Sequence, residues 1–152
     1  MPKLDGSSHV VLVVRDLERS AKWYCDVFGF QVIRDHVEAA GFEFISLLRP
    51  DSFAFLGLAK LQQGESPPFE DAGIGLQHYG YHVPDSNELE VWIEHLDTLG
   101  IEHSKIESEG FGSVVRFQDP DGIPLEVFCV EKNFFIQRLR ERHRENRQRR
   151  TP

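Results

Sequence analysis

This sequence of 152 residues predicts an α+β fold made of two tandem βαβββ units, and three observations carry that prediction. A skeleton of His, four residues, Val, one residue and Asp occurs at His9–Asp16 and again at His78–Asp85, 69 residues later. A run with helical spacing follows each copy and stops at a glycine. Three strand-like runs follow each helix. Such self-similarity marks a duplicated supersecondary unit.

In the first copy the strand from His9 ends at Asp16, a good N-cap because its carboxylate accepts free amide hydrogens of a first helical turn. Leu17, Ala21, Tyr24 and Phe28 make the apolar stripe, and Gly29 supplies the left-handed stop. In the second copy Asp85 plays the capping part, Leu89, Trp92, Ile93 and Leu96 make the stripe, and Gly100 ends it. Runs rich in Val, Ile and Phe predict strands over 30–38, 41–48 and 53–60, then over 101–107, 112–117 and 123–130. A turn precedes the last strand of each copy, Pro50-Asp51-Ser52 and Pro120-Asp121-Gly122, 70 residues apart. The modules therefore cover about 8–61 and 77–131, with a Gly-, Pro- and acid-rich linker over 62–76. Residues 132–152 suit a basic helix or tail, its start anchored by Phe134, Phe135, Ile136 and Leu139.

With 40% hydrophobic and 28% charged residues a packed core is expected. The segment Met1 to Ser8 has no apolar signal-peptide core, and no apolar run reaches membrane-helix length. Cys25 and Cys129 are too few and too far apart for a disulfide framework, so a reduced cytoplasmic setting is the default and packing their expected role. The net charge of −8 conceals an asymmetry: residues 132–152 carry eight Lys/Arg against two Glu, or +6, which leaves −14 on the body. An acidic body disfavours nucleic acid as the main ligand. The tail reads as a solvated terminal helix, or as a segment that touches an anionic surface or the chain's own acidic body.

The two strand starts, together with Arg116-Phe-Gln-Asp-Pro-Asp-Gly-Ile-Pro-Leu-Glu126, resemble the vicinal-oxygen-chelate superfamily over about residues 8–131. That group spans glyoxalases, extradiol dioxygenases, fosfomycin-resistance enzymes and bleomycin-binding proteins. The resemblance implies curved half-sheets around a cleft with a divalent metal at its base. It implies His9, His78 and Glu126 as ligands. The turn offset of 70 places a fourth ligand position at Leu56, so the pattern departs from glyoxalase I and keeps the three-ligand form. The resemblance also implies a small-molecule substrate and a homodimer. It leaves open whether His9 meets His78 of the same chain.

Strand alternation puts His9 on a face with Val11 and Val13, His78 with Gly80 and His82, and Glu126 with Pro124 and Phe128. Two imidazoles and a carboxylate bind a divalent ion and leave coordination positions open, but ligand type alone does not choose among Fe, Mn, Zn and Ni. A lone strand histidine is usually structural, and a strand glutamate can reach solvent from an edge. Two histidines at matching repeat positions favour the metal. Gly80 would leave space beside the ion.

His82 is a proton shuttle or a pocket-wall residue. Arg116 stands where dioxygenase and fosfomycin-resistance relatives have a tyrosine; it either binds an anionic oxygen of the substrate or pairs with an acidic residue of the body. His36, His95 and His103 read as surface residues. Phe44, Phe53, Phe55, Phe111 and Phe128 would suit an aromatic substrate, but most are expected in the core. The function these residues predict is metal-dependent chemistry on a small organic molecule that offers two neighbouring oxygens, leaning towards an oxygenase or lyase. The alternative is a drug- or metabolite-binding protein of the bleomycin-resistance kind, without chemistry.

Overall fold

The computed structural model describes residues 7–52, 54–64, 69 and 75–148. Phe53, most of the expected linker, the first six residues and residues 149–152 lie outside that set. By contacts the chain divides into two compact units, residues up to 75 with 118–123, and 76–117 with 124 onward.

The first unit runs β1 (His9–Val13), α1 (Leu17–Phe28), β2 (Gln31–Ala39), β3 (Phe42–Arg49) and β4 (Ala54–Leu61). Its sheet order is β1-β4-β3-β2, with β1 parallel to β4 and the other pairs antiparallel. The helix forms where its caps foretell it. Asp16 accepts the Arg19 amide at 3.0 Å, and Gly29 ends the helix at φ 70. Leu17, Ala21, Tyr24, Val27 and Phe28 turn inward, α1 packs on the sheet, and Ile45, Leu47, Leu56 and Leu58 complete the buried layer.

Residues 118–123 lock onto α1 through two buried aspartates. Asp119 accepts the amides of Asp121 and Ile123 at 2.8 and 2.9 Å and the Tyr24 hydroxyl at 3.2 Å. Asp121 accepts the Arg15 amide at 2.7 Å, Arg15 Nε at 2.9 Å and Arg19 Nη2. Burial drives the Asp119 pKa up despite its hydrogen bonds. At Asp121 burial pushes the same way, but the Arg15 bonds and the Arg19 charge outweigh it and hold the carboxyl below its ordinary range. The Asp-Pro-Asp-Gly turn is thus a structural clasp for the first helix.

The second unit runs β5 (Tyr79–Val83), α2 (Asn87–Thr98), β6 (Glu107–Glu109), β7 (Gly112–Gln118), β8 (Pro124–Val130) and α3 (Lys132–Gln148), in sheet order β5-β8-β7-β6. Asp85 caps α2 as expected, accepting the Asn87 and Glu88 amides at 2.9 and 3.2 Å. Gly100 follows the helix at φ 67. Leu89, Leu96, Val114, Val115, Leu125 and Val127 are fully buried, and α2 packs on β8.

Two expectations are corrected here. The strand expected over 101–107 is reduced to three residues, 107–109, plus an isolated bridge between His103 and Phe117. Side-chain bonding competes with the ladder at that point: the Ser104 hydroxyl accepts the Arg116 amide at 3.0 Å. The apolar start of α3 is only loosely anchored. Phe134 and Phe135 meet Phe111 with ring centroids 6.3 and 5.9 Å apart, while Ile136 and Leu139 are exposed.

Candidate metal centre

The sequence His-Tyr-Gly-Tyr-His-Val builds an open face and a covered one on β5. Val83 is buried and Tyr79 and Tyr81 are half-buried, whereas His78, Gly80 and His82 are exposed. On β8, Leu125 and Val127 are buried, and Glu126 and Phe128 occupy the opposite face. The strands are parallel, with Gly80 opposite Glu126 and His82 opposite Phe128. That register gathers His78, Gly80, His82, Glu126 and Phe128 on one side of the second sheet.

Glu126 Oε1 lies 3.4 Å from His78 Nε2. Two ligands held about 2.1 Å from one ion at ordinary angles stand about 3 to 3.5 Å apart, so this spacing suits a shared cation. The carboxylate leans across Gly80, where a Cβ would fall 2.9 Å from Oε1 and 3.2 Å from Cγ. The room left by the glycine is taken by the Glu126 side chain, where the sequence reading had reserved it for space beside an ion. His78 Nδ1 bonds the side-chain oxygen of Gln77. A hydrogen on Nδ1 leaves the Nε2 lone pair for a metal. The donor set and the cradle over Gly80 therefore fit a divalent ion.

His9 repeats only the ring-nitrogen bond of this arrangement in the first unit. Its Nδ1 bonds the hydroxyl of the preceding Ser8 at 2.8 Å. The face it shares with Val11 and Val13 is exposed. Ser8 and Gln77, 69 residues apart like the histidines, are partners the sequence reading overlooked, though the repeat offset was enough to find them.

The fourth position requires correction. In the first ladder Val11 faces Gly57, just as Gly80 faces Glu126 in the second. The counterpart of Glu126 is therefore Gly57, not Leu56, which is buried in the core. The two units use complementary sizes. A Cβ on Gly57 would stand 3.0 Å from Val11 Cγ2, so the first ladder pairs valine with glycine and the second glycine with glutamate. Gly57 offers no ligand either, so the correction adds no fourth member to the three expected from the sequence.

Arg116 stands on β7, beside β8. Its Nη1 is 2.6 Å from Glu107 Oε2, its Nη2 bonds Glu109 Oε1, and its Nε lies 3.7 Å from Glu126 Oε2. The glutamates of β6 are partners the sequence did not single out. His82 Nδ1 lies 3.3 Å from the Phe128 carbonyl oxygen. The Phe128 ring stacks on Phe111 with centroids 5.4 Å apart, over Gly112, where the ring leaves no room for a side chain.

Among the described residues, the aromatics expected in the core are not there. Phe44, Phe55 and Phe128 are half-buried and Phe111 is exposed, while Tyr24, Phe28, Phe30 and Phe117 fill the interior. His103 is not a free surface residue: it is half-buried, bonded to the Ser104 carbonyl at 2.8 Å and to Asp97 at 3.2 Å. His95 is half-buried against Trp92. Burial raises the Cys25 pKa, which makes it a poor nucleophile and agrees with a packing role.

A second carboxylate–imidazole group, Glu18, Asp35 and His36, has ligand atoms close enough for a cation. His36 bonds Glu43 through Nδ1 and Glu18 through Nε2, the latter at 2.6 Å. The Glu43 bond, then the Glu18 bond, raises its pKa. Both ring nitrogens face carboxylates, so the group is an exposed cluster of mutually bonded acidic and imidazole side chains.

A family model described as the Glyoxalase/Bleomycin resistance protein/Dioxygenase superfamily matches residues 6–127. The chain belongs to that superfamily. It is 30% identical over 133 residues to a catechol-2,3-dioxygenase of Bacillus subtilis, a match that covers 86% of this chain and 43% of that protein. It is 24% identical to the fosfomycin resistance protein FosX of Listeria monocytogenes, over 92% of this chain and 98% of that one. The chain spans less than half the length of the dioxygenase. Among solved structures, a glyoxylase/bleomycin resistance protein/dioxygenase domain from Frankia superposes with a TM-score of 0.76 at 27% identity, covering 86% of this chain and 95% of that one. The same fold occurs in a Listeria FosX variant complexed with Mn(II) and a dihydroxypropylphosphonic acid, with a TM-score of 0.63 at 17% identity over 86% of this chain and 96% of that one. Among the described residues, no helix is long and apolar enough to cross a membrane.

Proposed function

We propose that the chain is a divalent-metal-dependent enzyme acting on a small organic molecule with two neighbouring oxygens, with His9, His78 and Glu126 as metal ligands. The observation that carries this reading is the 3.4 Å approach of Glu126 Oε1 to His78 Nε2 over the space left by Gly80. His9 enters as the repeat counterpart of His78, with the same ring-nitrogen bond to the residue before it. A bound ion would accept both substrate oxygens and stabilise negative charge as it develops.

The chain's own residues supply the rest. Gln77 and Ser8 bond Nδ1 of the two imidazoles and so restrain the orientation of the rings. His82, on the same face as His78, would take or give a proton. Phe128 and Phe111 offer an apolar wall to a planar substrate. Resemblance to a catechol dioxygenase favours oxygen insertion, and resemblance to a lactoylglutathione lyase of Arabidopsis thaliana, 29% identical over 83% of this chain and 45% of that one, keeps lyase chemistry in view.

The test is elemental analysis of the purified protein, followed by titration with a catechol and with an α-hydroxy ketone in the presence and absence of Fe(II) and Mn(II). The enzyme reading expects bound metal and ligand binding that depends on it. Metal-free protein that binds the aromatic ligand equally well with and without added ions would favour sequestration instead.

A further inference from the structure

Arg116 is the one cation in contact with the proposed ligand Glu126 among the described ion pairs, and its other contacts say what it is for. The Glu126 side chain is 12% exposed and lies between two neighbouring strands. On the β5 side its Oε1 faces His78. On the β7 side its Oε2 faces Arg116 Nε at 3.7 Å. The guanidinium is itself held at both terminal nitrogens, Nη1 by Glu107 and Nη2 by Glu109. Its backbone is pinned as well, the amide to the Ser104 hydroxyl and the carbonyl to the Ser104 amide at 2.8 Å.

We propose that Arg116 is a positioning residue for Glu126: it draws Oε2 towards β7 so that Oε1 alone is presented beside His78. This rests on the metal reading above. A carboxylate on a flexible stem has two equivalent oxygens and can rotate to offer either or both. A planar fork anchored on one side by two glutamates removes that freedom. The same anchoring decides against the other role that its sequence position suggested. Three carboxylates of its own chain surround the guanidinium, and an anionic group on a substrate would have to displace one of them.

The experiment is Mn(II) binding by isothermal titration of the full chain, comparing wild type, R116Q, R116K and E126Q, with thermal melts as a check on folding. Charge alone predicts that R116Q binds Mn(II) more tightly, because a positive charge beside the site is lost. Positioning predicts the opposite, a dissociation constant raised about tenfold. R116K keeps the charge and loses the fork; positioning predicts a value between wild type and R116Q. It also serves if R116Q fails to fold. Unchanged or tighter binding in a folded R116Q, or wild-type binding in R116K, overturns the assignment and returns Arg116 to the substrate. Equal Mn(II) binding by wild type and E126Q would instead remove the metal reading itself.

Discussion

Gly80 stands directly opposite Glu126 in the β5–β8 ladder, and the glutamate carboxylate occupies the space a side chain on residue 80 would take. The glycine is therefore part of the site without offering it any atom to bind. Its φ lies outside the left-handed range and the clash falls on a flexible side chain, so the effect of a methyl group there is local. G80A should push the carboxylate away from His78. We expect Mn(II) affinity to fall about tenfold, as for loss of an outer-shell partner, with little change in melting temperature. Titration calorimetry beside a thermal melt checks both halves; wild-type affinity in G80A would show that the carboxylate does not need that space.

The matching contact in the first unit carries no ligand and tests packing alone. A methyl on Gly57 would approach Val11 Cγ2 at 3.0 Å, and Val11 is a stiff β-branched side chain. G57A should destabilise the chain by about 1 kcal/mol, overpacking offset in part by a less flexible unfolded chain. V11A should relieve the clash. The double variant is then expected to be more stable than the sum of the single changes predicts, measured by urea denaturation of all four proteins. Strict additivity would contradict the register.

Asp121 gives a pH dependence with a definite sign. Its folded pKa lies below the ordinary 3.8. Its contribution is present above the unfolded carboxylate range and is lost as pH falls through the folded value. D121N should cost about 1 to 2 kcal/mol at pH 7, a modest figure because Arg15 and Arg19 are about half exposed. The stability difference between wild type and D121N should shrink between pH 5 and pH 3. A difference that stays constant down to pH 3 would mean that the arginine clasp contributes nothing.

Much of this could be read from the chain because a duplicated unit signals itself twice. Asp16 with Gly29 bounds the first helix, and Asp85 with Gly100 brackets the second, because caps act locally. What failed was information held in the ladders. The turn offset of 70 pointed to Leu56, yet the strand register follows the histidine offset of 69 and selects Gly57. The first connection has one more residue between its turn proline and that strand position. A slip of one residue moves a side chain from the open face to the core. The partners of Arg116 were hidden for a related reason: Glu107 ends the strand expected over 101–107 and Glu109 lies beyond it, and the short stretch that does pair brings both across to β7.

Whether His9, His78 and Glu126 hold one ion together, as proposed, is decided by equilibrium Mn(II) binding to the wild-type chain and to H9A, H78A and E126Q. The wild type should bind one ion tightly, and each variant should lose at least about tenfold in affinity with folding retained. Mn(II) binding that survives unchanged in any of the three would contradict it.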